Sequence, residues 1–409
     1  MAIAALSGWT REQKHVVAAS FLGWSLDAFD FFLLVFVLKD IAEEFHTDIS
    51  VVTLAILLTL AMRPIGAFIF GRAADRWGRR PTLMIDILLY SILEFASGFA
   101  PSLTVFIILR ALYGVAMGGE WGVGASLTME TIPPHARGFV SGLLQSGYPT
   151  GYFVASIVYG ALFPYIGWRG MFMIGVIPAL LVLYIRRNVP ESPSWSKEAA
   201  VERGSTLTIL KSHWRLGIYA VVLMTAFNFF SHGTQDIYPT FLEVEQKLSP
   251  HAVGIIAVIY NIGAIVGGIL FGTLSERFGR RRCIIIAALL SLPVIPLWAF
   301  STSPALLAVG AFLMQFTVQG AWGVVPVHLN ELSPDTARGT FPGFVYQLGN
   351  LLASVNATLQ AGIASHFGGN YGLALAVVAG SVAVIIAGLT AVGTEAKGVA
   401  FSRAQAAVA

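Results

Sequence analysis

The sequence predicts an all-α membrane protein whose twelve transmembrane helices form two pseudo-symmetric six-helix bundles. Three observations predict it. Of the 409 residues, 56% are apolar and only 11% charged, and mean hydropathy is +0.74; a soluble domain carries roughly a quarter charged residues. The apolar residues gather into twelve stretches, each about long enough to cross a hydrocarbon core of ~30 Å as a helix. A ten-residue motif and several satellites also recur at a constant offset of 201 residues.

The stretches lie near residues 16–38, 50–71, 82–100, 103–128, 137–163 and 170–188, then 214–242, 250–273, 283–301, 304–330, 338–367 and 371–393. A membrane barrel would instead need alternating segments of ~10 residues, which are absent. The expected division is an N-terminal bundle over 1–188, a cytoplasmic linker over 189–213, and a C-terminal bundle with a short tail over 214–409. Arg11, Glu12 and Lys14 precede a first stretch too long for a signal core, with no clear cleavage site, so it is expected to remain as span 1. The 42 glycines suit close helix–helix approach. A single cysteine, Cys283, allows no intrachain disulfide and reads as a small buried side chain. No P-loop, zinc spacing or nucleic-acid module is present, so no cofactor, metal, nucleic-acid partner or ATP-driven step is expected. No nucleophile–base constellation suggests an enzyme.

Twelve crossings put both termini on one side. With that side cytoplasmic, 20 of the 25 lysines and arginines fall on inner segments. Only Lys39, Arg169 and Lys247 fall outside, and Arg63 and Arg110 lie within spans. The positive-inside rule therefore predicts a multi-pass plasma (inner) membrane protein with both termini in the cytoplasm. A monomer is expected.

The repeat supplies the fold-level evidence. Gly71-Arg72-Ala73-Ala74-Asp75-Arg76-Trp77-Gly78-Arg79-Arg80 returns as Gly272-Thr273-Leu274-Ser275-Glu276-Arg277-Phe278-Gly279-Arg280-Arg281. The same offset of 201 carries Trp121 onto Trp322, Glu130 onto Glu331, and Ala136-Arg137-Gly138 onto Ala337-Arg338-Gly339. The loop between spans 2 and 3, repeated between spans 8 and 9, resembles the signature of the major facilitator superfamily, and the resemblance covers nearly the whole chain. It implies two bundles around a central cavity worked by rocking-type alternating access. In the loop, Asp75 can face a helix N-terminus and pair with an arginine such as Arg137, as a latch. Gly71, Arg76, Arg79, Glu276 and Arg280 belong to the same duplicated element, and the pairs Glu130/Arg137 and Glu331/Arg338 favour the latch. The plainer reading of Arg79 and Arg80 is a solvated basic turn.

A charge near the bilayer centre costs roughly 3 kcal/mol or more, so charges within spans tend to face a cavity and to pair. Asp27 and Asp30, at i,i+3 spacing, share a helix face. Two close carboxylates raise each other's proton affinity and suit a proton carrier; equally, either can be the partner of Arg63 or Arg110. Arg63 suits a two-pronged grip on a carboxylate, or a structural pair with one of those aspartates. Glu120, beside Gly118 and Gly119, is a further proton-site candidate, and Arg110 reads as a structural organiser. Asp86 and Glu94, eight residues apart on span 3, are expected in a more peripheral setting.

Span 7 carries Asn228-Phe229-Phe230-Ser231-His232-Gly233-Thr234-Gln235-Asp236-Ile237-Tyr238-Pro239-Thr240. Asn228, His232, Gln235 and Asp236 share a stripe by i,i+3 and i,i+4 spacing, as a cavity lining would. Histidine titrates near neutral pH, so a His232–Asp236 pair can carry a proton or help bind an anion. The stretch resembles the signature of the fungal lactate and pyruvate permeases, matched at Asn228, Ser231, His232, Thr234, Gln235, Asp236 and Thr240. These belong to the sialate:proton symporter family, and the Asp27-Ala28-Phe29-Asp30-Phe31-Phe32 segment looks like the same group. The resemblance implies proton-coupled uptake of a small carboxylate, with transport tied to Asn228, His232, Gln235 and Asp236. Pro190-Glu191-Ser192-Pro193 resembles a sugar-porter signature that organic-acid porters share. Tyr148, Tyr152, Gln315, Gln319, Gln347 and Asn350 are further polar positions on the spans expected to form the cavity. The expected activity is thus proton symport of a monocarboxylate, with a larger acid, a sugar, or a non-transporting membrane sensor as alternatives.

Overall fold

The computed structural model describes residues 7–196 and 212–401, and every regular element among them is helical. The expected linker over 189–213 falls largely on 197–211, outside the described residues, as does Arg403. Nine helices among the described residues are long and apolar enough to cross a membrane. Spans 1 and 2 are Arg11–Phe36 and Ile49–Trp77. Span 4 is Leu103–Met117 with Glu120–Thr131, and span 5 is Arg137–Gln145 with 147–166. Span 7 is Trp214–Gln235 and span 8 is Pro250–Phe278. Span 9 is Arg280–Leu290 with Ile295–Ala299. Span 10 is Pro304–Trp322 with Val325–Leu332, and span 12 is Tyr371–Val392.

The other three expected spans are helical but depart from a plain apolar rod. Span 3 is Arg79–Ser97, made more polar by Arg79, Arg80, Asp86 and Glu94. Span 6 follows Gly167, whose φ of 61° separates it from span 5, and is interrupted before Ala179–Asn188. Span 11 is Phe341–Ala353 and Asn356–His366, broken at Ser354 and Val355.

Local signals set the helix ends. Thr10 and Gln13 form a reciprocal capping box before span 1. Ser102, Ser249 and Asn370 cap spans 4, 8 and 12 with their side chains. The corner between spans 2 and 3 requires Gly78 at φ 107°, and the corner between spans 8 and 9 requires Gly279 at φ 92°. These glycines stand 201 residues apart, so the repeat is one of backbone geometry as well as sequence.

Spans 2 and 11 pack together, as do spans 5 and 8, and these pairs join the two halves of the chain. Glycines bring the backbones together on the face that carries both copies of the motif. A Cβ on Gly142 would stand 2.2 Å from the carbonyl oxygen of Gly268, and one on Gly122 would stand 2.6 Å from the Cα of Gly343. One on Gly71 would stand 2.6 Å from the Cα of Thr340. The halves are therefore shut against each other on this face by backbone contact. Adding a methyl here forces backbone apart. Gly142→Ala is expected to cost about 1–3 kcal/mol, measured as a lower melting temperature in detergent. Gly160→Ala, with nothing within 4 Å of the added carbon, should not lower that temperature.

Candidate functional site

Two groups of residues converge between the halves. The first closes the motif-bearing face. Having turned at Gly78, the chain directs Arg79 inward, where Nε and Nη2 donate to the two Glu130 carboxylate oxygens at 3.1 Å each. The second copy repeats this: Arg280 donates to Glu331 at 2.9 and 3.0 Å. All four side chains are almost fully buried. Each glutamate then faces an arginine of the opposite half, Glu331 with Arg137 at 3.9 Å and Glu130 with Arg338 at 4.0 Å. The expected Glu130/Arg137 and Glu331/Arg338 pairs are thus exchanged between halves, because spans 4 and 10 are brought face to face only when the halves meet.

Asp75 and Glu276 repeat that exchange. Asp75 accepts from the backbone N–H of Gly339 at 2.9 Å and from the N–H and Oγ1 of Thr340 at 3.1 and 2.6 Å. Thr340 is the cap of span 11, so Asp75 does face a helix N-terminus, one in the other half. The arginine at 3.2 Å from it is Arg79, where Arg137 was expected. Glu276 accepts from the N–H of Gly138, at the start of span 5, at 2.5 Å. Gly71 lies in the backbone seam. Arg76 is exposed, 6.0 Å from the Trp77 ring, and does not enter the network among the described residues.

The second group gathers polar side chains of span 7 with those of spans 10 and 11. His232 Nδ1 lies 3.2 Å from Asp236 Oδ1, and Nε2 lies 2.9 Å from Asn350 Oδ1 on span 11. The side chains of His232 and Asp236 are 32% and 39% exposed, so the pair is not sealed inside the bundle. Gln235 turns towards span 10, donating to Gln315 at 3.0 Å. Gln319 donates to Ser231 at 3.2 Å. Asn228, buried, donates to the Met224 carbonyl of its own helix, so the stripe does not act as a single cluster. Tyr148 is half-buried between Trp24 and Phe32, with centroids 5.5 and 5.4 Å away.

Arg63 is 3% exposed. Its Nη2 points at the Met117 sulfur at 2.7 Å, its guanidinium lies 5.2 Å from the Phe31 ring, and Nε has no hydrogen-bond partner. It is within electrostatic reach of Asp27, Glu120, Tyr148, His232 and Tyr346. Among the described residues it makes no ion pair. A guanidinium has five donors, so a sulfur and a ring leave most of its bonding capacity unused.

Beside it lies a set of buried carboxyl groups. Asp27, Asp30, Asp86 and Glu120 are at most 1% exposed, and no oxygen of any of the four has a hydrogen-bond partner among the described residues. Asp27 and Asp30 are therefore not hydrogen-bonded to Arg63 or Arg110. Arg110 donates instead to Glu94 at 2.7 Å and Ser97 at 2.7 Å, with Tyr113 stacked 4.2 Å away. Asp86 and Glu94 are both 0% exposed, because span 3 turns its polar face into the N-terminal half, where it packs on spans 2, 4 and 6.

Two structural residues went unread. Glu191 accepts from the N–H groups of Arg79 and Arg80 at 2.9 and 3.2 Å, anchoring the start of span 3. Glu395 does the same for Arg280 and Arg281 at 3.3 and 3.0 Å. Their separation is 204 residues, so a search at 201 passes over the pair.

The chain matches the Major Facilitator Superfamily over residues 20–246 and again over 222–407. A carboxylic acid transporter protein homolog from Saccharomyces cerevisiae is 31% identical over 85% of this chain, which spans 61% of that relative's length. The sialic acid transporter NanX of Escherichia coli is 27% identical, covering 91% of this chain and 93% of its own. The cis,cis-muconate transport protein of Acinetobacter baylyi is 29% identical, covering 88% and 89%. Among solved structures, the proton:xylose symporter XylE superposes with a TM-score of 0.77 at 19% identity, over 95% of this chain and 97% of its own. That likeness shows a shared fold. The family match runs through both copies of the 201-residue repeat, and the chain belongs to the Major Facilitator Superfamily, as a multi-pass membrane transporter.

Proposed function

We propose that the chain is a secondary active transporter coupling the entry of a small monocarboxylate, of the lactate or pyruvate kind, to protons by alternating access. The observation that carries this reading is Arg63: a buried guanidinium whose partners among the described residues are a sulfur and a ring, within electrostatic reach of a partly exposed histidine–aspartate pair. A carboxylate entering the chamber would supply the bidentate partner that Arg63 lacks. Tyr148, His232, Asn228 and Gln235 would complete the polar wall around it.

A monocarboxylate moving with one proton carries no net charge, and a neutral cargo lowers the cost of closing the chamber around it. Asp236 and His232 would take that proton where solvent reaches them. Asp27, Asp30 and Glu120 would serve as further acceptors, because a buried carboxyl without partners is costly to keep charged. The exchanged pairs at the opposite face would be the latch, broken and remade in each cycle. The excess of lysine and arginine on that face argues that it is cytoplasmic. A larger acid is the second reading, favoured by the names of the two bacterial relatives. Competition of unlabelled sialic acid or muconate against labelled lactate distinguishes the two.

His232→Ala and Asp236→Asn should each abolish lactate accumulation driven by a pH gradient in proteoliposomes, while the protein stays monodisperse. Wild-type accumulation by either variant would remove span 7 from the coupling. Arg63→Ala should weaken carboxylate binding roughly 10- to 100-fold, the loss of a charge-assisted pair. Thermal shift with and without lactate measures it, and a ligand shift equal to that of wild type would end this role for Arg63.

A further inference from the structure

Between the two arginines that cross from one half to the other lies one aromatic ring. Phe401 follows span 12 and is 6% exposed. The guanidinium carbon of Arg137 stands 3.7 Å from its ring centroid, and that of Arg338 stands 4.2 Å away. The segment leading to the ring is tied into the same network. The Val399 carbonyl accepts from Arg137 Nη1 at 2.8 Å, and the Gly398 N–H donates to Glu331 at 3.4 Å. Gly398, at φ 85°, makes the turn that brings the chain back from the Glu395 anchor to this point.

The placement answers an electrostatic difficulty. Arg137 and Arg338 are both buried, carry like charge, and reach glutamate across the interface only at 3.9 and 4.0 Å. The face of an aromatic ring is negative and attracts a cation held over it, most strongly where water is excluded. A single ring seated against both guanidiniums offsets their repulsion. It can do so only while span 5, which begins at Arg137, and the start of span 11, which follows Arg338, lie side by side. When the halves part on this face, at least one arginine must leave the ring.

We propose that Phe401 is a positioning residue of the transport cycle: its ring joins Arg137 to Arg338 in the closed state of the motif-bearing face and biases the chain towards that state. The segment after span 12 thereby sets the balance between the two ends of the alternating-access cycle. The inference rests on that cycle but on no particular substrate or coupling ion, so it stands or falls separately from the carboxylate reading.

The test compares side chains of similar bulk with and without a π face. In the full chain carrying Cys283→Ser, spin labels are placed through Trp77→Cys and Phe278→Cys, exposed positions ending spans 2 and 8. Pulsed distance measurement in lipid nanodiscs then reads the separation of the halves on this face with no substrate present. Phe401→Leu should raise the ratio of long to short distances about tenfold, and Phe401→Trp should stay within about twofold of the parent. A Phe401→Leu distribution identical to the parent's would overturn the proposal, as would a Phe401→Trp distribution as open as that of Phe401→Leu. If Phe401→Leu does not yield folded protein, Phe401→Met makes the same comparison.

Discussion

A charge removed from water must find a partner, and on the motif-bearing face of this chain the partners come first from the same half and then from the other. Arg79 with Glu130, and Arg280 with Glu331, are bidentate pairs formed within each repeat. Arg338 and Arg137 then approach those glutamates from across the interface. Removing one member of a buried pair strands its partner, at about 3–5 kcal/mol. An intact buried pair, by contrast, barely breaks even against its hydrated components, because desolvation consumes most of the Coulomb gain. These two facts together suit a reversible closure. Disrupting the network while it is buried is expensive, yet opening it to water releases all its members into solvation at little net cost.

The backbone seam and the charge network depend on each other. The halves approach closely enough for Arg137 and Arg338 to reach across only because glycines meet at Gly142 and Gly268 and at Gly122 and Gly343. Asp75 and Glu276 then accept backbone N–H groups at the start of the opposing helices. The first N–H groups of a helix have no carbonyl one turn earlier in that helix to bond, although that of Thr340 also donates to the Ala337 carbonyl at 3.0 Å. Helix starts, glycine contacts and ion pairs therefore share a single geometry, and each is satisfied in the closed arrangement.

The two repeats share this closing apparatus but differ in the polar groups that their spans carry. The N-terminal half carries Arg63 and the partnerless carboxyls of Asp27, Asp30, Asp86 and Glu120. The C-terminal half carries the hydrogen-bonded His232, Asp236 and Asn350 together with Gln235 and Gln315. Duplication preserved what moves, while the chemistry of the space between the halves diverged. A cargo lodged there would touch ionisable groups of both halves, which is the physical requirement for binding in one half to influence the position of the other.

The sequence by itself determined the membrane class, the order of the helices and the existence of the repeat, because apolar length, glycine corners and a fixed offset are properties of the chain alone. It also marked Arg63, His232 and Asp236 as polar groups that the bilayer would not tolerate on its lipid face. Only the tertiary structure decided partners. The exchange of Arg137 and Arg338 between halves, and the placement of Asp75 against span 11, depend on which helix ends meet when the halves close. No spacing within one repeat records that. The burial of Asp86 and Glu94 was not legible, because a stripe on span 3 does not say which neighbours it faces; packing against spans 2, 4 and 6 buried it. Glu395 escaped because it lies at 204 and not 201 residues from its counterpart. Phe401 escaped because an aromatic residue near a chain end is unremarkable until two guanidiniums are found on its ring.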